Sequence, residues 1–255
     1  MSDNLNSASV ILDDASAEIE EFEKQVAIFF SSQPYQKVVE HDARTKSDTH
    51  KIKMTRQIPG QFRSKARHIA YDIRSSLDYI GYASAIATGK SKPKKTYFPF
   101  ARSADEADNV KKRKCQDLPD EIFDVFWKFQ PYLGGDNTLW ALNELTNCNK
   151  HRSVVPVGHG LSGGQMMGNF SCDGMCYEMA FPPHWDTEKS EAILCVVDSA
   201  ANTNYNIRLG FDIYFGEIDV LRGRPVIPVL KHLEKLARNI VRAADSEGVR
   251  IGIFS

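Results

Sequence analysis

The sequence predicts an α+β protein: an N-terminal helical bundle with an inserted β-hairpin, followed by an antiparallel sheet covered by a C-terminal helix. Three observations carry this. Apart from one alternating stretch, apolar residues as far as Asn149 recur at spacings of three and four, the period of a helix with one buried face. From Ser153 to Phe215 the pattern shortens to strand-like runs broken by Gly, Pro, Asn and Asp. After Pro225 the helical period returns. The expected organisation is a flexible arm over 1–12 and a bundle over 13–152 that carries the hairpin at 35–58. A sheet with its C-terminal helix follows over 153–255, packed on the same core.

Taken in order, Asp13 and Asp14 are expected to cap a first helix running to about Ser31, with Ile19, Phe22, Val26, Phe29 and Phe30 on its buried stripe. Glu18, Glu20, Glu21 and Glu23 lie in its first half, toward the positive end of the helix dipole. Tyr35–Val39 and His50–Ile58 pair as a hairpin, with Ile52, Met54 and Ile58 alternating with charged neighbours. Beyond Pro59-Gly60 a long helix covers about 61–87, its core face made by Ala66, Ile69, Ile73, Leu77, Ile80 and Ser84. Gly89–Lys95 is a basic loop, and Tyr97-Phe-Pro-Phe100 turns back into the interior. Ser103 is expected to cap a charged helix to about Cys115. Pro119 opens another, rich in core aromatics. After a turn at 130–135, Asn137 is expected to cap a helix to about Asn149. Strands are expected at Ser153–Val157, Gln165–Ser171, Cys176–Phe181, Ala192–Val197 and Tyr205–Phe215. A last helix over about 226–246 turns Val229, Leu230, Leu233, Leu236, Ile240 and Val241 inward.

The charge balance, 32 Lys and Arg against 33 Asp and Glu, argues against a general polyanion binder but leaves room for a local basic patch. The polar, acidic MSDNLNSASV start is unlike a secretory signal, and no apolar run approaches the length of a membrane span. Five scattered cysteines fit reduced thiols, so a cytoplasmic location is expected and no membrane partner.

Four groups of residues are candidates for chemistry. Arg63, Arg67, Tyr71, Arg74 and Asp78 form a polar stripe on the second helix, suited to phosphates and bases, or to a solvated face with Arg74 paired to Asp78. Asn143, Asn147 and His151 recur at four, and Lys150, His151 and Arg152 end that helix. There His151 is placed as a general acid/base and Lys150 or Arg152 as a cation for an anionic transition state, or all three simply complement the dipole. Cys148, His151, Cys172 and Cys176 are soft ligands, but Asp173-Gly174 reads as a hairpin turn and the spacing is not that of a zinc knuckle, so no metal is expected. An Arg followed by a His five to seven residues on occurs at Arg63 and His68, Arg44 and His50, and Arg152 and His159; chance supplies about one such pair. No phosphate-binding, dinucleotide, HExxH or nucleophile-elbow motif is present, and no cofactor is expected.

Several pieces occur in a fixed order: Ile73-Arg-Ser-Ser-Leu-Asp78, Tyr97-Phe-Pro-Phe100, Gln130-Pro-Tyr132, and Leu139-Trp-Ala-Leu-Asn143 running into Asn149-Lys-His-Arg152. Together, over about 60–155, they resemble an uncharacterised bacterial protein family. The resemblance implies a bacterial or mobile-element cytoplasmic protein and carries no activity with it. The helical half is also similar in outline to HEPN-type bundles. Two functions are therefore expected. The first is a non-enzymatic binding or regulatory module presenting Arg63, Arg67, Tyr71 and Arg74 to RNA or another protein. The alternative is a HEPN-like, metal-independent ribonuclease of a phage-defence or toxin system, using His151 with Lys150 and Arg152, or Arg63 with His68.

Overall fold

The computed structural model describes residues 3–147, 157–179, 185–186, 189–216 and 218–255, with backbone alone for 157–170 and 205–210. The helices are α1 (Asn6–Ser31), α2 (Gly60–Ala87), α3 (Ala107–Lys114), α4 (Asp120–Lys128), α5 (Asn137–Asn147) and α6 (Val226–Arg250). The strands are β1 (Tyr35–Asp42), β2 (Ser47–Met54), β3 (Val157–Asp173), β4 (Cys176–Met179), β5 (Trp185–Asp186), β6 (Glu191–Asp198) and β7 (Asn202–Phe215). The α+β class and the order helix, hairpin, antiparallel strands, closing helix are those the sequence predicts. The chain divides into a helical unit, Met1–Glu23 with Gln61–Pro156 and Phe215–Ser255, and a sheet unit, Lys24–Gly60 with Val157–Tyr214.

In the helical unit the first helix begins well before the expected position. Leu5, Ala8, Leu12, Ala15, Ile19 and Phe22 are all buried, and their spacings of three and four continue one stripe back into the segment expected to be a flexible arm. Burial of that stripe orders residues 3–12, and Asp13 and Asp14 lie inside the helix rather than at its cap. On α2 the whole expected core face is buried, from Ala66 to Ser84. A Cβ at Gly81 would run into the carbonyl oxygen of Thr96, so glycine lets the 96–100 segment lie against α2. Phe98 sits at the centre of an aromatic cluster, its ring 4.9 Å from those of both Phe100 and Phe126. α6 packs on α4 and α5, with Val229, Leu230, Leu233, Ile240 and Val241 buried and Leu236 half-buried.

One expected cap is replaced by its neighbour and another makes no capping bond. Asp136, not Asn137, caps α5, its Oδ1 accepting the N–H groups of Thr138 (3.0 Å) and Leu139 (2.9 Å). Asn137 instead accepts the Gly134 N–H at 2.8 Å and closes the preceding turn. The Ser103 side chain makes no capping bond to the short 3₁₀ turn that precedes α3. The Glu106 carboxylate accepts the Arg102 N–H at 2.8 Å.

In the sheet unit the strand order is β1-β2-β6-β4, with β5 also on β6 and all pairs antiparallel; β3 and β7 form a second, two-stranded sheet. The hairpin, expected within the bundle, is built into this sheet: β2 runs against β6 from Ser47 opposite Asp198 to Lys53 opposite Glu191. Its second strand ends at Met54, short of Ile58. The Phe211 ring gathers Phe30, Tyr35 and Trp185 at centroid distances of 5.7, 4.5 and 5.6 Å. The expected strand at Ser153–Val157 lies, but for Val157, outside the described residues. No described helix is long and apolar enough to cross a membrane.

Candidate functional site

The site is organised by Arg74. Its guanidinium Nη1 donates to Asn143 Oδ1 (2.7 Å), Thr146 Oγ1 (2.8 Å) and Asn147 Oδ1 (3.3 Å), while Nε stands 3.7 Å from Asp78 Oδ2. Cζ lies 5.2 Å from the centroid of the Phe100 ring. Asp78 in turn accepts the Phe98 N–H at 2.8 Å. Ala101 donates its N–H to the Pro131 carbonyl at 3.1 Å, and the Tyr132 ring lies tilted beside that of Trp127 at 5.3 Å. Three sequence pieces up to 73 residues apart in their bonding thus meet around one cation, and the fourth, Gln130–Tyr132, is tied to Ala101 next to Phe100. The expected Arg74–Asp78 pair forms, and Arg74 also meets Asn143 and Asn147.

Arg74 is only 19% exposed. A guanidinium has donors and no acceptor, so each amide atom facing it must be an oxygen. This orients both amides. Asn143 Oδ1 takes a second bond from Asn147 Nδ2 at 2.8 Å, and Asn143 Nδ2 is turned to Glu144 Oε1 at 3.3 Å. Arg74 therefore serves the site from behind, and two asparagines carry its effect to the surface.

That surface is a cleft of about 520 Å³ walled by Phe100–Arg102, by Glu106, Asn109, Val110, Arg113 and Lys114, and by Trp140, Asn143, Glu144 and Asn147. The volume is that of a small-ligand site. On α5 the spacing of Trp140, Asn143, Glu144 and Asn147 puts an aromatic, two amides and a carboxylate on one face; Glu106 just before α3, with Asn109 and Arg113 on it, adds a carboxylate, an amide and a guanidinium to the wall. Cationic side chains outnumber carboxylates three to two among the lining residues, and Glu106 is already engaged by the Arg102 backbone. Lys114 Nζ donates to the Phe100 carbonyl at 2.9 Å. Burial lowers the Lys114 pKa, and the positive charges of Arg74 and Arg113 lower it further. Burial raises the pKa of Asp78 against the opposing pull of the Phe98 N–H and Arg74. Cys115, whose thiol donates to the Tyr97 carbonyl, is pushed by burial to about 12 and is no nucleophile.

The other candidates are placed differently. Arg63, Arg67 and Tyr71 are exposed, Tyr71 by 59%, so the expected stripe divides: its first three members face solvent and Arg74 and Asp78 turn inward. His68 stands 3.6 Å from Asp72. Lys150, His151 and Arg152 lie outside the described residues, as does Cys148. Cys172 and Cys176 are free thiols beside the turn at Gly174 (φ 136°). One arrangement invites a hydrolase reading: His41, Asp48 and Ser199. Both Asp48 Oδ1 (2.7 Å) and Ser199 Oγ (3.0 Å) contact the same nitrogen, His41 Nδ1, and Ser199 also donates to Asp48 at 2.8 Å. A relay needs serine and aspartate on opposite nitrogens of the ring. This trio ties the end of the hairpin instead, and its His41 and Ser199 bonds hold the Asp48 carboxyl below its ordinary range.

Sequence reasoning passed over Arg102, Glu106, Asn109, Arg113, Lys114, Trp140 and Glu144. Their signal was available as two polar helix faces at three- and four-residue spacing, but only the fold sets one face against the other. No protein-family model, curated protein or solved structure matches the chain.

Proposed function

We propose that the protein is a non-enzymatic binding module whose cleft takes a phosphate-bearing, ring-containing ligand, single-stranded RNA being the class its chemistry fits. The observation that carries this reading is the Arg74 clamp, which orients Asn143 and Asn147 beside Arg113, Lys114 and the Trp140 ring. Cations and amide donors suit phosphates, and an aromatic face suits a base. A basic loop beside α3 supports the same reading. The exposed Lys94 and Lys95 lie against the end of α3, where Lys95 Nζ reaches the Lys112 carbonyl (3.5 Å) and Gln116 Oε1 (2.9 Å). The cationic excess is thus local, in a chain whose net charge is −1.

The test is anisotropy of a labelled 12-nucleotide RNA of mixed sequence, titrated with the full chain at several salt concentrations. Trp140→Ala is expected to weaken binding by about tenfold, the worth of one stacked base. Arg113→Glu is expected to weaken it by at least about tenfold and to flatten the salt dependence by one to two units of slope. No binding at about 50 μM protein, or equal affinity in all three proteins, ends the reading. RNA shortened by wild type and left whole by His151→Ala would replace it with the ribonuclease.

A further inference from the structure

Away from the cleft, Glu18 on α1 and His68 and Asp72 on α2 bring one imidazole and two carboxylates together, all three ligating atoms within 4.8 Å of one another. His68 and Asp72 are four residues apart, the spacing that sets two side chains on one helix face. Their nearest atoms, Nε2 and Oδ2, are 3.6 Å apart. That is too long for a hydrogen bond. It is close to the roughly 3.4 Å between two ligands on one tetrahedral ion with bonds of about 2.1 Å. Glu18 arrives from a different helix, so the donors converge from two sides. Glu18 and Asp72 are half-buried and His68 is exposed, which leaves the outer side open to solvent.

We propose that Glu18, His68 and Asp72 form a binding site for a first-row divalent transition ion, with one nitrogen and two oxygens from the protein and water completing the shell. A hard-cation site for calcium or magnesium uses oxygen alone, whereas imidazole beside carboxylate favours ions such as Zn²⁺ or Mn²⁺. A small rotation of the exposed imidazole and of the Glu18 carboxylate brings all three donors onto one ion. Bound there, the ion ties α1 to α2. Sequence spacing hides the site, because its two halves belong to helices separated by the hairpin.

The test is calorimetric titration of the chelator-stripped full chain with ZnCl₂, repeated on His68→Ala and Glu18→Gln. The side chains are at or near the surface, and far-ultraviolet circular dichroism checks that both variants keep the fold. Wild type is expected to bind one ion per chain. His68→Ala is expected to weaken this by at least about tenfold and Glu18→Gln by several-fold. With ion at about 100 times the wild-type Kd, the Tm of wild type rises by about 5 °C and that of His68→Ala by no more than about half as much. No uptake at about 100 μM ion overturns the proposal. So does affinity unchanged in both variants, which would send the ion elsewhere, to the thiols of Cys172 and Cys176 for example.

Discussion

The helical unit and the sheet unit differ in how their most deeply buried polar groups are satisfied. In the helical unit the fully buried polar side chains are small hydroxyls, and each finds its partner within its own helix: Ser76 donates to the Ile73 carbonyl at 2.7 Å and Ser84 to the Ile80 carbonyl at 2.8 Å. In the sheet unit the buried polar side chains include His50, Lys51 and Glu191. Lys51 Nζ sits 3.1 Å from Glu191 Oε1 and is also bonded to Glu40. In the strand register Glu191 faces Lys53 and Glu40 faces Thr49, so Lys51 reaches diagonally to a carboxylate on each flanking strand. Hydroxyls satisfied locally place few demands on the fold around them. An ammonium satisfied only across two strands fixes the register of three.

The contrast predicts that damage in the two units responds differently to repair. Phe126→Ala removes a fully buried ring packed against Phe98 and should cost about 3–5 kcal/mol, read as a lower denaturation midpoint. No second substitution nearby is expected to restore it, because the loss is volume. A cost under about 1 kcal/mol would mean the helical core is not close-packed around Phe98.

Lys51→Met is the counterpart in the sheet. It strands Glu191 with little solvent and should cost about 3 kcal/mol, while adding Glu191→Leu should recover most of that loss. A double-mutant cycle measures the recovery. The pH dependence gives a second reading. Burial alone would lower the Lys51 pKa, but the bonds to Glu40 and Glu191 prevail and raise it above 10.5. A raised lysine contributes stability that is whole below its unfolded value and is lost as pH climbs through the folded one. Wild type should therefore lose stability above pH 10.5 more steeply than the double variant. Equal slopes would show the pair to be ornamental.

The same contrast explains what was legible in the sequence. The α2 core face was readable residue by residue, because helical burial repeats within a few positions. The start of α1 was missed because Ala8 and Ala15 are weak apolar signals between Leu5, Leu12 and Ile19. That β2 lies between β1 and β6 was not readable, since the pairing joins residues about 140 apart and leaves no local period. The candidate site falls between these cases. Arg74, Asp78, Asn143 and Asn147 stood out as polar residues at helical spacing, yet that Arg74 orients the amides from behind follows only once α2 and α5 are set side by side. Asp136 took the cap expected of Asn137 because two adjacent residues with the same capping chemistry cannot be ranked by type alone.

The smallest expected effect concerns Asp117, a half-buried residue that binds across sequence as Lys51 does. Its carboxylate meets Lys90 Nζ at 2.8 Å and accepts the N–H groups of Lys94 (2.9 Å) and Lys95 (3.2 Å), so one side chain holds the basic loop against the end of α3. The Lys90 bond first, then the two backbone bonds, pull its pKa well below the ordinary 3.8. A depressed carboxylate contributes above its unfolded value and is lost as pH falls through the folded one. The amide resonances of Lys94 and Lys95 should therefore stay fixed from neutral pH down to about 4 and move together only at lower pH. In Asp117→Asn they should be displaced already at neutral pH and insensitive to acid, while the denaturation midpoint of the helical unit stays where it was. Resonances that titrate near 3.8 in wild type would mean that the loop is held by something other than this carboxylate.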